Sequence, residues 1–91
     1  MSKHQRFALG RLLITPGAKE ALEESEVLQS LGRHASGDWG DVSEDDAKEN
    51  EFSVSRNLRI FSVYHSSNGE KFWVITEADR SVTTVLLPEE Y

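Results

Sequence analysis

The chain has 91 residues, and its 16 acidic and 10 basic side chains give a formal charge of −6 and a pI near 4.9. It has no cysteine, which excludes disulfides, thiolate zinc sites and a cysteine nucleophile. No run approaches the roughly 20 apolar residues that span a bilayer, and the acidic balance argues against direct binding to a phosphate backbone. The expectation is one small cytoplasmic domain over residues 1–91.

Residues 1–6 read as a loose lead. Phe7, Leu9, Leu12, Leu13 and Ile14 then form an apolar segment that suggests a strand. Thr15-Pro16-Gly17 breaks it. Thr15 can cap a helix, and proline suits the first helical position, where its missing N–H would be unpaired anyway. The spacing predicts a helix over 16–24 with Ala18, Ala21 and Leu22 inward. Ser25 reads as a second cap, before a helix whose Val27, Leu28 and Leu31 form one apolar stripe and which ends between Gly32 and Ala35. Ser43 reads as a third cap, with Asp46 three residues on in a variant of the capping box. Val42 and Ala47 stand where a hydrophobic staple would form. An acidic helix follows over 44–52, its far end fastened by Phe52 and Val54.

The last third reads as sheet, because 58–66, 70–76 and 82–87 are rich in β-branched and aromatic residues. Asn68-Gly69 predicts a two-residue hairpin loop pairing Tyr64 with Trp73, Val63 with Val74 and His65 with Phe72. That register puts Ile60, Tyr64, Trp73 and Ile75 on one face and Phe61, Val63, Phe72 and Val74 on the other. The turn before the last strand fits a four- or a five-residue loop, and the two choices give that strand opposite facings. The fold class expected is α+β: an N-terminal strand, two to three short helices, then a three-stranded antiparallel meander. Apolar groups on both sheet faces in so small a domain also point to a homodimer.

Motifs for chemistry are sparse. The three histidines, His4, His34 and His65, have no metal-ligand spacing, no serine sits in a nucleophile elbow, and no glycine loop fits a phosphate. No cofactor is expected. Charge is unevenly placed: residues 20–51 hold eleven acids against two bases, while residues 1–19 hold four bases and no acid. The acids of the middle are either solvated helix faces or a surface for a basic partner, with Glu44, Asp45, Glu49 and Glu51 as its candidate contacts. In Arg33-His34-Ala35-Ser36-Gly37-Asp38-Trp39-Gly40-Asp41, Trp39 either plugs the core or leads a recognition loop with Arg33, His34, Asp38 and Asp41. Glu77, Asp79 and Arg80 either hold a hairpin loop or form a charged binding edge.

Several runs are similar to a family of small bacterial proteins labelled plasmid-related. They are Leu31 to Gly40 with Asp46 and Lys48-Glu49-Asn50-Glu51, the tail from Glu70 to Pro88, and the openings Ala8-Leu9-Gly10-Arg11 and Thr15-Pro16-Gly17-Ala18. Some members of that family are labelled as a type I restriction-modification subunit, although this chain lacks the cofactor-binding motif a methyltransferase needs. The resemblance covers nearly the whole chain. It implies residence on plasmids, integrated elements or phage, and it assigns no activity or catalytic residue.

The leading expectation is therefore a non-enzymatic accessory protein of a mobile element that binds another protein. Its sharpest form is an inhibitor of a host restriction or CRISPR nuclease, with region 20–51 engaging a basic nucleic-acid channel. The alternatives are a toxin–antitoxin component and a small nucleic-acid-binding regulator using Lys3, Arg6 and Arg11 with exposed Trp39 and Trp73. The charge of −6 fits both poorly.

Overall fold

The computed structural model describes residues 4–91. Its elements are β1 (Arg11–Ile14), α1 (Pro16–Ala21), α2 (Glu24–Ala35), α3 (Glu44–Arg56), β2 (Ile60–His65), β3 (Lys71–Thr76), β4 (Val82–Leu86) and a closing 3₁₀ turn, Pro88–Glu90. The expected α+β class holds. The meander β2-β3-β4 is antiparallel, and β1 joins it parallel to β4, giving a mixed sheet in the order β1-β4-β3-β2. All three helices, β2 and β3 lie between β1 and β4 in sequence, long enough a connection for the parallel pairing that a hairpin cannot make. Among the described residues, no helix is long and apolar enough to cross a membrane. The lead expected over 1–6 falls partly outside the described residues. Within them, Arg6 is fixed by its N–H to the Ala35 carbonyl and by a bidentate pair with Glu51.

The caps follow the local chemistry at two helices out of three. Thr15 Oγ1 accepts from the Ala18 N–H, with Pro16 first in the helix, and Ser43 accepts from the Asp46 N–H at 3.1 Å. Ser25 is not a cap. It sits in the first turn of α2, which starts behind Glu23 with no side-chain cap, because α1 stops early at Ala21. Helix α3 runs one turn beyond the expected 52 and closes on Asn57 in the left-handed conformation, φ 54°. Val54 packs inward beside Val42 and Ala47, whereas Phe52 is exposed under the Arg56 guanidinium.

The first hairpin departs from the expected register by one residue. Tyr64 pairs with Phe72, Val63 with Trp73 and His65 with Lys71. The loop has three residues, Ser67 to Gly69: the Gly69 N–H bonds the Ser66 carbonyl, the Ser66 N–H bonds the Glu70 carbonyl, and Gly69 takes φ +88°. This is a turn followed by a glycine bulge, the next commonest hairpin after the two-residue type. The slip exchanges the two faces of β3. Ile60, Ser62 and Tyr64 share the helix side with Phe72, Val74 and Thr76, while Phe61 and Val63 share the far side with Trp73 and Ile75. The second loop is the four-residue one, since the Glu77 N–H bonds the Val82 carbonyl.

The core lies on the helix side. One cluster joins Ala18, Leu22 and Leu31 to Tyr64, Phe72, Val74, Val85 and Leu87, and a second joins Phe7, Trp39 and Ile60. The far side is partly closed by the chain's own end, where Phe61, Trp73 and Tyr91 form an edge-to-face row and Arg59 lies over the Tyr91 ring. The Trp73 indole N–H is buried there without a hydrogen-bond partner among the described residues.

Candidate functional site

His34 lies at the centre of the fold, fully buried. Its Nδ1 is 2.5 Å from Ser62 Oγ and its Nε2 is 2.9 Å from Thr76 Oγ1. Thr76 Oγ1 is 2.7 Å from Thr83 Oγ1, and Thr83 donates to the Leu9 carbonyl at 2.7 Å. A carbonyl only accepts, and this fixes the protons from Leu9 back to the imidazole Nε2. Thr83 donates to Leu9, so Thr76 donates to Thr83. His34 Nε2–H therefore donates to Thr76, and because burial keeps the ring from taking a second proton, Nδ1 accepts from Ser62. The imidazole is neutral. Burial, with a smaller contribution from the nearby Arg80 guanidinium, pushes its pKa from 6.5 down to about 3. A serine beside a histidine invites a nucleophilic reading. Here Ser62 is itself fully buried, and a threonine hydroxyl stands where a carboxylate would orient the base. This network ties α2 to β2, β3 and β4. No sequence motif announces it, because its members lie 28 and 42 residues from His34. The one available signal is that Ser62, Thr76 and Thr83 are small hydroxyl residues in strands made mostly of β-branched and aromatic residues.

The Arg33–Asp41 segment folds inward. Trp39 is only 6% exposed, stacked on Phe7 and set edge-on to His34. Arg33 grips Asp38 with two hydrogen bonds, and the Tyr64 hydroxyl donates to the Asp38 carbonyl. Around Trp39 the backbone adds to the β2 edge: the Val63 N–H bonds the Trp39 carbonyl and the Asp41 N–H bonds the Val63 carbonyl. Gly40 makes that approach at φ +74°, where a Cβ would run into the Val63 carbonyl and the Tyr64 ring. Trp39 and His34 are thus inside, unavailable to a partner. Asp41 remains exposed, paired with His65 at 2.7 Å.

The second charged loop is also absorbed locally. Arg80, at φ 62°, donates to the carbonyls of Leu58, Glu77, Ala78 and Ser53, so it clamps the end of α3 to the β3–β4 turn. Glu77 pairs with Arg59 at 3.3 Å. Asp79 accepts from the Ser81 N–H and hydroxyl, which hold its carboxyl below the usual range. Each of the three loop residues is thus held by local partners, and Arg80 lies near enough to His34 to act on its charge.

The acidic middle divides in two. Four of its eleven acids are engaged: Asp38 with Arg33, Asp41 with His65, Glu26 with the Ser67 N–H, and Glu51 with Arg6 and the Trp39 indole. The Arg6 hydrogen bond leads in holding the Glu51 carboxyl below its ordinary range. Asn50, beside it, turns inward and bonds both the carbonyl and the N–H of Phe61. The other seven, Glu20, Glu23, Glu24, Glu44, Asp45, Asp46 and Glu49, face solvent. Of the four candidate contacts on α3, the structure keeps Glu44, Asp45 and Glu49 on an exposed surface and commits Glu51 to a local network. Among the described residues, no three His, Asp or Glu side chains are grouped to hold a metal ion. A scan of protein-family models and searches of curated proteins and of solved structures give no match to this chain.

Proposed function

We propose that this protein is a non-enzymatic accessory protein of a mobile genetic element that docks on a basic protein surface through the outside of α3. The partner is a host nucleic-acid-processing enzyme, a restriction or CRISPR nuclease, whose cationic channel receives the carboxylates as it would receive phosphates. The observation that carries this reading is the surplus of Glu44, Asp45 and Glu49: they are exposed and have no partner among the described residues, on a helix fixed at both ends. A fixed array of like charges steers a complementary surface and sets its register. The sequence resemblance to plasmid-related proteins agrees with this setting.

The test is relief of restriction in a host carrying an active nuclease, read as plating efficiency of unmodified phage. Wild type should restore plating, and Glu44→Lys/Asp45→Lys/Glu49→Lys should abolish the effect. Acids in the first turn also stabilise the helix through its macrodipole. Glu49→Lys alone, beyond that turn, therefore serves as the variant that spares the helix start. Full relief by both variants, with unfolding midpoints near wild type, would overturn the proposal.

A further inference from the structure

The two edges of the sheet are finished differently. At β2 the outward groups of Phe61 and Val63 are taken by Asn50 and by the Trp39–Asp41 backbone. At β1 nothing comparable occurs among the described residues. The Arg11 N–H bonds the Ser81 carbonyl and the Thr15 N–H bonds the Val85 carbonyl, which assigns Arg11, Leu13 and Thr15 to the ladder with β4. Leu12 and Ile14 therefore point their N–H and C=O groups away from the sheet. An open edge of this kind is a template for another strand, and monomeric proteins usually blunt it.

The side chains reinforce this. Seven large apolar side chains are exposed among the described residues, and four gather here: Leu12, Leu13, Ile14 and Leu28, with Leu12 at 52% and Leu28 at 61%. Between β1 and α2 lies an apolar groove of about 460 Å³, lined by Leu12, Ile14, Leu22, Val27, Leu28 and Leu31. Such a patch beside an open edge marks an interface.

We infer that β1 pairs antiparallel with β1 of a second copy about a two-fold axis at Leu13, independently of the α3 reading above. Leu12 of each copy then exchanges two hydrogen bonds with Ile14 of the other, four in all. Leu12 and Ile14 of both copies lie on the helix side, so each copy extends the apolar floor of the other's groove beneath Leu28. Charge completes the match. Antiparallel pairing about Leu13 sets Arg11 opposite Thr15 of the other copy. Thr15 Oγ1 is bound to the Glu90 carboxylate at 2.5 Å. Arg11 is exposed and makes no ion pair among the described residues, so it meets that carboxylate at both ends of the strand pair. The contact is self-complementary, as a two-fold interface must be.

The chain has no cysteine, so Leu13→Cys introduces a single thiol on the proposed axis. Directly opposed residues at such a position stand about 4.5 Å apart at Cα, within disulfide range. Under mild oxidation Leu13→Cys should cross-link to itself, and Gln29→Cys, exposed on α2 away from the groove, should not. Sedimentation equilibrium over a concentration series should give wild type a mass of twice 10.3 kDa. Leu12→Pro removes an outward N–H and spares the ladder with β4, so it should raise the dimer dissociation constant about 30-fold. Arg11→Glu should raise it about 5-fold, and it reads the interface even if the proline variant fails to fold. A monomer mass throughout, equal cross-linking of the two cysteine variants, or a dimer indifferent to Leu12→Pro and Arg11→Glu would each overturn the inference. A monomer that instead takes up an extended peptide along β1 would overturn it in favour of a foreign strand.

Discussion

Lowering the pH from 7 to 5 should destabilise the protein through His34. In the unfolded chain the imidazole takes a proton at its ordinary 6.5, whereas in the folded protein burial holds it neutral down to about 3. The unfolded state binds the extra proton across this window, so stability is complete above about pH 6.5 and falls as the pH drops towards 3. At pH 5 the unfolded imidazole is favoured as its cation by about 1.5 pH units, or about 2 kcal/mol. That is a large share of the net stability of a domain this small. The depressed carboxylates of Glu51, Asp79 and Glu90 act in a lower window. Their contribution is present above their ordinary values and is lost only as the pH falls below the carboxylate range. Urea unfolding at pH 5, 6 and 7 measures the slope, and His34→Gln isolates it, because glutamine offers a donor and an acceptor but does not titrate. The variant should be less stable at pH 7, yet its stability should change by about 2 kcal/mol less than that of wild type between pH 7 and 5. Equal slopes in the two proteins, or a His34 ring signal that titrates near 6.5 in the folded state, would refute the reasoning.

Four other substitutions probe the supports of the site. Asn50→Ala strands both the N–H and the C=O of Phe61 at the sheet edge and should cost about 2–3 kcal/mol in urea unfolding. Glu51→Ala releases Arg6 and leaves the Trp39 indole N–H unpaired; it should cost about 1–2 kcal/mol and shift the tryptophan emission. Gly40→Ala puts a Cβ at φ +74° against the Val63 carbonyl and should cost at least about 2 kcal/mol by thermal or urea unfolding. Ser43→Ala removes the cap of α3 and should cost about 1 kcal/mol, with loss of helical ellipticity before the main transition.

What was legible in the sequence was local. Thr15-Pro16 and Ser43 act within three residues of themselves, and both cap as their chemistry predicts. The hairpin shows the limit of such signals. Asn68-Gly69 announces a turn, but a two-residue and a three-residue loop both suit it. The decision falls to Ser66, whose hydroxyl bonds the Asn68 side chain and accepts from the Glu70 N–H. One residue in the loop then decides the facing of all of β3. The parallel partner of β1 is more than 70 residues away, beyond the reach of any periodicity. Trp39 had two open readings because its burial depends on Phe7 and Glu51, which come from opposite sides in sequence. The His34 network was invisible for the same reason.

Sequence charge shows a −9 middle but not which carboxylates are surplus; folding decides that. Arg6, from the basic head, crosses 45 residues to take Glu51, and Arg33 takes Asp38, so the free carboxylates on α3 are those farther from these cations. The strand order β1-β4-β3-β2 also sets the two proposed contacts apart, because α3 lies against β2 at one edge while β1 forms the other. Pairing through β1 would therefore leave both α3 surfaces free at the two ends of the assembly. A partner with two basic sites at a matching span would then be held bivalently, the second contact following the first at high effective concentration. The two surfaces should be separable by mutation. Glu49→Lys should weaken docking on a basic partner and leave the dimer constant unchanged. Leu12→Pro should leave single-site binding intact and remove only the gain from bivalency. If Leu12→Pro instead lowered binding to a single isolated basic site, measured by calorimetry, the separation of the two surfaces would fail.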